Sequence, residues 1–122
     1  MNREGKKYVA YLRVSTEMQV DGFSLDGQNN RIARFGEREE MICVGKYEDA
    51  GKSGKSIEGR PEFKRMLAEI ENGLQVDYVL VYKLSRFGRN AADILNSLAL
   101  IQSYGVELIF VEEGIDSSQT SG

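Results

Sequence analysis

The feature that most constrains the fold is a continuous apolar run, Tyr78–Tyr82, in the second half of the chain. A short run without polar alternation is typical of a strand that is buried on both faces of a parallel sheet. Strand and helix patterns alternate along the chain. The predicted order is strand 7–14, helix 24–38, strand 41–47, helix 61–71, strand 78–82, helix 91–104 and strand 106–111. This alternation predicts a three-layer α/β/α domain with a mostly parallel central sheet of four to five strands.

Local sequence signals mark where the second and third helices begin and end. Pro61 suits the first position of a helix, and Asn90 is a predicted N-cap. Asn72–Gly73 and Gly105 suit the two C-termini. The predicted buried faces are Phe63, Met66, Leu67 and Ile70 in the second helix, and Ala91, Ile94, Leu95, Leu98 and Ile101 in the third.

The length of the chain, 122 residues, is enough for one domain with a hydrophobic core. Residues 114–122 are rich in serine and are predicted to be a linker or a terminal extension, so the predicted domain is 1–113. No apolar run approaches the length of a membrane span, and the polar N-terminus has no signal-peptide core. We therefore expect an intracellular, cytoplasmic protein that does not enter a membrane.

The counts of histidine and cysteine exclude several kinds of site. The chain has no histidine, which excludes a histidine-based triad and most zinc sites. Its single cysteine, Cys43, cannot form an internal disulfide. This residue lies in an apolar run, so we expect it to be buried. No cluster of carboxylates is present to bind a metal, and the predicted arrangement requires none.

Basic residues are concentrated in two segments, although the net charge of the chain is −3. Segment 52–65 has five basic and two acidic residues, whereas segment 83–89 has the basic residues Lys83, Arg86 and Arg89 and no acid. A focused basic site on an acidic protein can bind a phosphate group locally. The alternative is that both segments are ordinary solvated surface.

A serine follows the first predicted strand at the point where parallel sheets carry their functional sites. Ser15 lies two residues after Arg13, and segment 83–89 follows the third strand. Because the carboxyl ends of parallel strands meet at one edge, Ser15 would face Arg13 and the two arginines of that segment, with Arg60 able to join. Guanidinium groups match phosphate oxygens and stabilise a charged transition state, so the pattern favours phosphoryl transfer. A turn or capping role for Ser15 is the alternative.

The glycine-rich segment Gly51–Ser56 resembles a phosphate-binding P-loop only superficially. That motif needs a glycine five positions before its Gly-Lys-Ser, and Asp49 stands there instead. No helical pattern begins at Ser56, where a P-loop would lead into a helix. The segment is therefore predicted to be a loop without a nucleotide site.

Five ordered motifs resemble the catalytic domain of the serine site-specific recombinases, the resolvase/invertase family. They are Tyr-Leu-Arg-Val-Ser-Thr at 11–16, Ser-Leu-Asp-Gly-Gln at 24–28, Glu-Asp-Ala-Gly-Lys-Ser-Gly at 48–54, Gly-Arg-Pro-Glu-Phe at 59–63 and Lys-Leu-Ser-Arg-Phe-Gly-Arg at 83–89. The spacing between Ser15 and Gln28 is more similar to large serine integrases and transposases of mobile elements than to small resolvases.

The resemblance implies a mechanism that cleaves and rejoins DNA. Ser15 would attack a phosphodiester, form a 5′-phosphoserine bond and release a 3′-hydroxyl, and storage of the bond energy in that link would make a cofactor unnecessary. The implied phosphate ligands are Arg13, Arg60, Arg86 and Arg89, and the supporting positions are Gln28, Asp49, Lys83 and Ser85. Many members have aspartate, a candidate proton donor, where this chain has Ser85.

The resemblance also implies partners. Double-stranded DNA would be the substrate, and the full-length protein would form dimers and tetramers on it in the cytoplasm of a bacterium, near the nucleoid. Family members continue after this domain with a long helix and a DNA-binding region. We therefore expect that these 122 residues bind DNA weakly and do not recombine it alone.

Two other classes of function stay open on the residues alone. One is a different phosphoryl-transfer enzyme with a serine nucleophile, such as a phosphatase or a nucleotide hydrolase. The other is an α/β interaction module without catalytic activity. Turnover of a small phosphate ester would favour the first, and full biological activity after Ser15→Ala would favour the second.

Overall fold

A five-stranded sheet organises the computed structural model, which describes residues 4–14, 25–50, 60–84, 87–88 and 90–119. In chain order the elements are β1 (Lys7–Val14), α1 (Leu25–Arg38), β2 (Ile42–Ala50), α2 (Pro61–Glu71), β3 (Tyr78–Val81), α3 (Ala91–Ser103), β4 (Glu107–Phe110) and β5 (Ile115–Asp116), followed by a 3-10 turn (Ser117–Gln119). The sheet order is β2-β1-β3-β4-β5. The first four strands are parallel and β5 is antiparallel to β4.

The core lies on both faces of this sheet, as the apolar run in β3 predicts. Alternate residues of β1 point to opposite faces. Tyr8 and Leu12 pack with Ile32 of α1, whereas Val9 and Tyr11 pack with residues of α2 and α3. The predicted three-layer α/β/α architecture with a mostly parallel sheet is therefore confirmed.

Helix α2 follows its sequence pattern closely. Pro61 is its first residue, and all four predicted core residues, Phe63 among them, are buried. The helix ends at Asn72, and Gly73 adopts a φ of +112°, a left-handed conformation that glycine reaches without strain. The sequence signals for the start and the end of this helix are both confirmed.

Helix α3 begins as predicted but buries a narrower face. The Asn90 side chain accepts a hydrogen bond from the Asp93 backbone nitrogen at 2.8 Å, which confirms the N-cap. Leu95 is 61 % exposed and Ala91 is exposed, so their predicted burial is wrong. Ser97 is fully buried instead, because the buried side chain of Arg60, the residue before α2, reaches this side of α3.

Strand β2 continues three residues further than predicted, to Ala50, and this extension places Asp49 in the sheet. The opposite end of β2 is exposed. Cys43 lies there and is exposed, so its predicted burial is wrong. The physical reason is that β2 is an edge strand, and its first residues, 42–44, are all exposed.

The C-terminal segment, for which the sequence predicts a linker, contains secondary structure. Residues 115–119 form β5 and the 3-10 turn, and Ser117 is buried. Its hydroxyl accepts a hydrogen bond from the Leu108 backbone nitrogen at 2.8 Å, which attaches the turn to β4.

Across the described parts of the chain, no helix has the combined length and apolar character that a bilayer span requires.

Candidate active site

The carboxyl ends of β1 and β2 meet at one edge of the sheet. Arg13 in β1 pairs in register with Asp49 in β2, and both side chains are buried. Ser15 follows β1 directly in the sequence, but it lies outside the described residues, as do Ser85, Arg86 and Arg89. The described part of the predicted site therefore consists of Arg13, Gln28, Asp49, Arg60 and Lys83.

Asp49 holds the start of α2 against the sheet. Its carboxylate accepts hydrogen bonds from the backbone nitrogens of Glu62 at 3.0 Å and Phe63 at 3.1 Å. These are two of the N–H groups that a helix leaves without an internal partner, and a negative charge there also favours the helix dipole. Arg60, at the N-cap position, makes no side-chain cap of its own. Asp49 of strand β2 thus supplies the cap for α2.

Tyr11 completes the hydrogen bonding of Asp49 and was not a predicted site residue. Its hydroxyl donates to Asp49 Oδ2 at 2.7 Å, and its ring packs edge-on against Phe63 with 5.2 Å between ring centroids. Burial raises the pKa of Tyr11 above its ordinary value, the Asp49 carboxylate raises it further, and the charges of Arg60 and Arg13 oppose this. Tyr11 is therefore a neutral donor, lying among the three charged site residues.

Three buried tyrosines make the free energy of unfolding fall at alkaline pH. Burial is the main cause that raises the pKa of Tyr8 and of Tyr47 to about 12, and it raises that of Tyr11 as well. The folded protein thus holds these protons more tightly than the unfolded chain, where the pKa of tyrosine is about 10. We expect stability to be full below pH ~10 and to be lost as the pH rises from there towards 12.

Urea unfolding of wild type and of Tyr11→Phe between pH 7 and pH 11 measures this effect. The variant keeps the ring, loses the bond to Asp49, and is expected to be about 1 kcal/mol less stable at pH 7 with a shallower loss above pH ~10. Tyr104→Phe, at the end of α3, is the control and is expected to stay within about 0.5 kcal/mol of wild type at pH 7. Equal pH profiles for wild type and Tyr11→Phe would contradict the account of Tyr11.

Arg60 lies in the interior and not at an open surface. Its side chain is fully buried, and its guanidinium donates to the Phe87 carbonyl oxygen and, at 3.4 Å, to Ser97 Oγ. The same group forms an ion pair with Asp93 at 3.7 Å and lies 4.6 Å from the centre of the Phe63 ring. Direct contact with a DNA phosphate would require Arg60 to leave these partners.

Gln28 connects the first turn of α1 to the end of β1. Its side-chain nitrogen donates to the Arg13 carbonyl oxygen at 3.2 Å, and its side-chain oxygen is buried without a hydrogen-bond partner in the described structure. Lys83 is partly buried, with its ammonium group 5.6 Å from the centre of the Tyr82 ring. The structure thus brings Gln28 to Arg13.

The segment that follows β3 is attached at an acidic residue that the sequence did not single out. The Leu84 backbone nitrogen donates to both carboxylate oxygens of Glu113, at 3.2 and 3.3 Å. The Leu84 carbonyl oxygen accepts from the backbone nitrogens of Phe87 and Gly88. A long-range contact of this kind has no local sequence signal.

Among the described residues, no group of three or more histidine, cysteine, aspartate or glutamate side chains could hold a metal ion.

Comparison with known proteins identifies the family. A family model described as "Resolvase, N terminal domain" matches residues 8–122. The chain belongs to the resolvase family. A resolvase/recombinase of Pseudomonas putida is 32 % identical to this resolvase-family chain over 112 residues, which cover 92 % of the chain and 55 % of the relative. The chain spans about half the length of the sequence relatives that it matches.

Solved structures agree with this assignment. A resolvase family site-specific recombinase from Streptococcus pneumoniae is 54 % identical, with a TM-score of 0.82 and coverage of 95 % of this chain and 78 % of that one. The N-terminal catalytic domain of TP901-1 integrase is 38 % identical, with a TM-score of 0.82 and coverage of 93 % and 82 %. The resolvase-family chain therefore has the fold of a serine recombinase catalytic domain, and its likeness extends to an integrase.

Proposed function

We propose that this domain cleaves and rejoins double-stranded DNA through a 5′-phosphoserine bond on Ser15. The observation that carries the proposal is the pairing of Arg13, two residues before Ser15 in the chain, with Asp49 at the carboxyl edge of the sheet. This edge lies where α/β sheets carry their functional sites. The chain belongs to the resolvase family, and Tn3 resolvase is one of its relatives. The same site would serve the full-length protein in DNA recombination.

The chemistry follows from the residue types. The Ser15 hydroxyl loses its proton and its oxygen attacks the phosphorus, while the bond from phosphorus to the 3′ oxygen breaks and that oxygen takes up a proton. Arg13, Arg86 and Arg89 bind the phosphate oxygens and stabilise the charge of the transition state. Attack of a new 3′-hydroxyl on the phosphoserine reverses the step. The phosphoester bond is conserved throughout, so no nucleotide energy source enters.

The protonation of the leaving 3′ oxygen is the step for which this chain departs from many relatives. Ser85 stands where an aspartate is frequent, and a serine hydroxyl is a poor acid near neutral pH. We propose that water or one of the arginines delivers this proton. We also propose that the working protein forms dimers and tetramers on DNA, and that residues up to 119 belong with the catalytic domain.

The polarity of the cleaved DNA tests the proposal. The protein that carries this domain is incubated with DNA containing its recombination site, with and without EDTA, and quenched in denaturant. We expect 5′ ends that are blocked by covalently attached protein, 3′ ends that terminal transferase extends, and no effect of EDTA. Free 5′-phosphate ends without attached protein would instead identify a hydrolytic nuclease and contradict the proposal.

A further inference from the structure

Asp93 is a partly buried acidic residue that the proposed chemistry does not use. It lies in the first turn of α3 with 14 % of its side chain exposed, and its Oδ2 atom is 3.7 Å from the Arg60 guanidinium. The turn before α3 packs closely on it, since a Cβ atom at Gly88 would lie 3.0 Å from the same oxygen. Asp93 therefore touches both Arg60 and the connection between β3 and α3.

Arg60 joins three parts of the structure that are separate in the sequence. It precedes α2, whose first turn is capped by Asp49 of β2, and it donates to the Phe87 carbonyl oxygen and to Ser97 of α3. Phe87 lies between Arg86 and Arg89 in the sequence. A hydrogen bond at Phe87 thus fixes the backbone one residue from Arg86 and two residues from Arg89.

The charge of Asp93 determines whether Arg60 can stay in this position. A fully buried guanidinium loses its hydration, and removing its counter-charge leaves an uncompensated cation in the interior. The separation of 3.7 Å exceeds hydrogen-bond length, and Asp93 Oδ2 and Arg60 Nε have no hydrogen-bond partner within the described structure. Asp93 therefore acts on Arg60 by charge more than by a hydrogen bond, so an amide of the same shape would not replace it.

Resting on the proposed recombinase function, we propose that Asp93 is a positioning residue for strand cleavage. It holds the Arg60 guanidinium against the carbonyl oxygen of Phe87, the residue that separates Arg86 from Gly88 and Arg89 in the sequence. Arg60 then serves the reaction through the backbone and not as a phosphate ligand. Leu84, whose carbonyl oxygen accepts from the Phe87 backbone nitrogen, is itself attached to the Glu113 carboxylate. Pre-ordering of this kind lowers the entropy cost of assembling charged groups around a phosphate.

Single-turnover cleavage by Asp93→Asn in the DNA-competent, full-length protein tests this role. We expect covalent complex formation at saturating DNA to be about 10-fold to 100-fold slower, because misplacement of a catalytic group by about 1 Å costs up to about 100-fold. The DNA concentration for half-maximal binding is expected to stay within about twofold, because the phosphate contacts that dominate affinity remain. Asp77→Asn, on the opposite edge of the sheet next to Lys7, is the matched control and is expected to cleave at the wild-type rate.

A double-mutant cycle with Arg60→Lys separates positioning from general stability. Lysine keeps the charge but cannot reach Phe87 and Ser97 together, so this variant is expected to lose a similar factor. The double variant is expected to cleave no more slowly than the slower single variant, because both changes break one contact. The proposal would be overturned if the double variant lost the product of the two single-variant factors in cleavage rate. It would also be overturned if the loss disappeared when each variant was assayed at the same interval below its own melting temperature.

Two further measurements, on the wild-type protein and on a second variant, distinguish failure of the proposed function from failure of the role of Asp93. A wild-type protein without any covalent complex would refute the proposed function, and this inference with it. An active wild type matched by Asp93→Asn would refute only the role of Asp93. Should Asp93→Asn not fold, Ser97→Ala removes the longer of the two hydrogen bonds that Arg60 donates. That variant is expected to slow cleavage about threefold with unchanged DNA binding, and an unchanged rate there would also count against the proposal.

Discussion

Substitution Ser15→Ala is expected to abolish the covalent protein–DNA complex and to lower strand cleavage by about 1,000-fold or more. Removal of a nucleophile eliminates the covalent route, and the remaining groups give only the residual rate of an arginine site without an attacking oxygen. DNA binding is expected to be unchanged, because the charges that contact phosphate remain. Gel separation of protein-linked from free DNA, after a quench in denaturant, measures the complex.

Two neighbouring hydroxyl groups provide the controls for this prediction. Thr16→Ala removes the hydroxyl next in sequence and is expected to keep the covalent complex. Ser85→Ala removes the hydroxyl that replaces the frequent aspartate, and since water or an arginine is proposed to protonate the leaving oxygen, it is expected to lower the rate by less than about 10-fold. A covalent complex that survives Ser15→Ala and disappears with Ser85→Ala would exchange the two roles.

Substitution Asp49→Ala is expected to destabilise the fold by about 3 kcal/mol. It removes a charged acceptor of three hydrogen bonds, from Tyr11 and from the backbone nitrogens of Glu62 and Phe63, and leaves the buried donors unpaired. For a domain of this size the expected fall in melting temperature is about 10 °C. Urea unfolding followed by circular dichroism gives the free energy of unfolding directly.

The neighbouring acid provides the matched control for Asp49. Glu48 is partly exposed and forms a surface ion pair with Lys46 at 3.3 Å, so Glu48→Ala is expected to change stability by less than about 0.5 kcal/mol. Asp49→Asn keeps one acceptor oxygen and is expected to fall between the two. A variant Asp49→Ala that unfolds with wild-type energy would show that α2 is held without this cap.

The sequence predicted the parts of the fold that follow from local periodicity and end signals. Pro61, Asn72–Gly73 and Asn90 mark helix boundaries because proline, glycine and asparagine act on the backbone within one or two residues. Leu95 and Cys43 were misplaced for a different reason. Their burial depends on which part of the fold covers them. Local sequence spacing does not indicate that β2 is an edge strand, or that the buried Arg60 side chain lies beside α3.

The sequence predicts which residues belong to the candidate site, but it does not predict their contacts. Family motifs identified Asp49 and Arg60 as site residues, and the structure places both in the interior next to Tyr11. That Asp49 caps α2, or that Arg60 reaches Phe87 and Asp93, depends on residues that are far apart in the sequence. Tyr11 was missed because its apolar ring fits the strand pattern, and only its hydroxyl partner reveals a role in the site.

Identification of the residue that carries the DNA tests the central claim most directly. The protein that carries this domain is trapped on its recombination-site DNA, digested with nuclease and protease, and its peptides are sequenced by mass spectrometry. The account predicts a nucleotide linked through phosphate to Ser15, absent from Ser15→Ala. A nucleotide on any other residue, or cleaved DNA with every peptide unmodified, would contradict it.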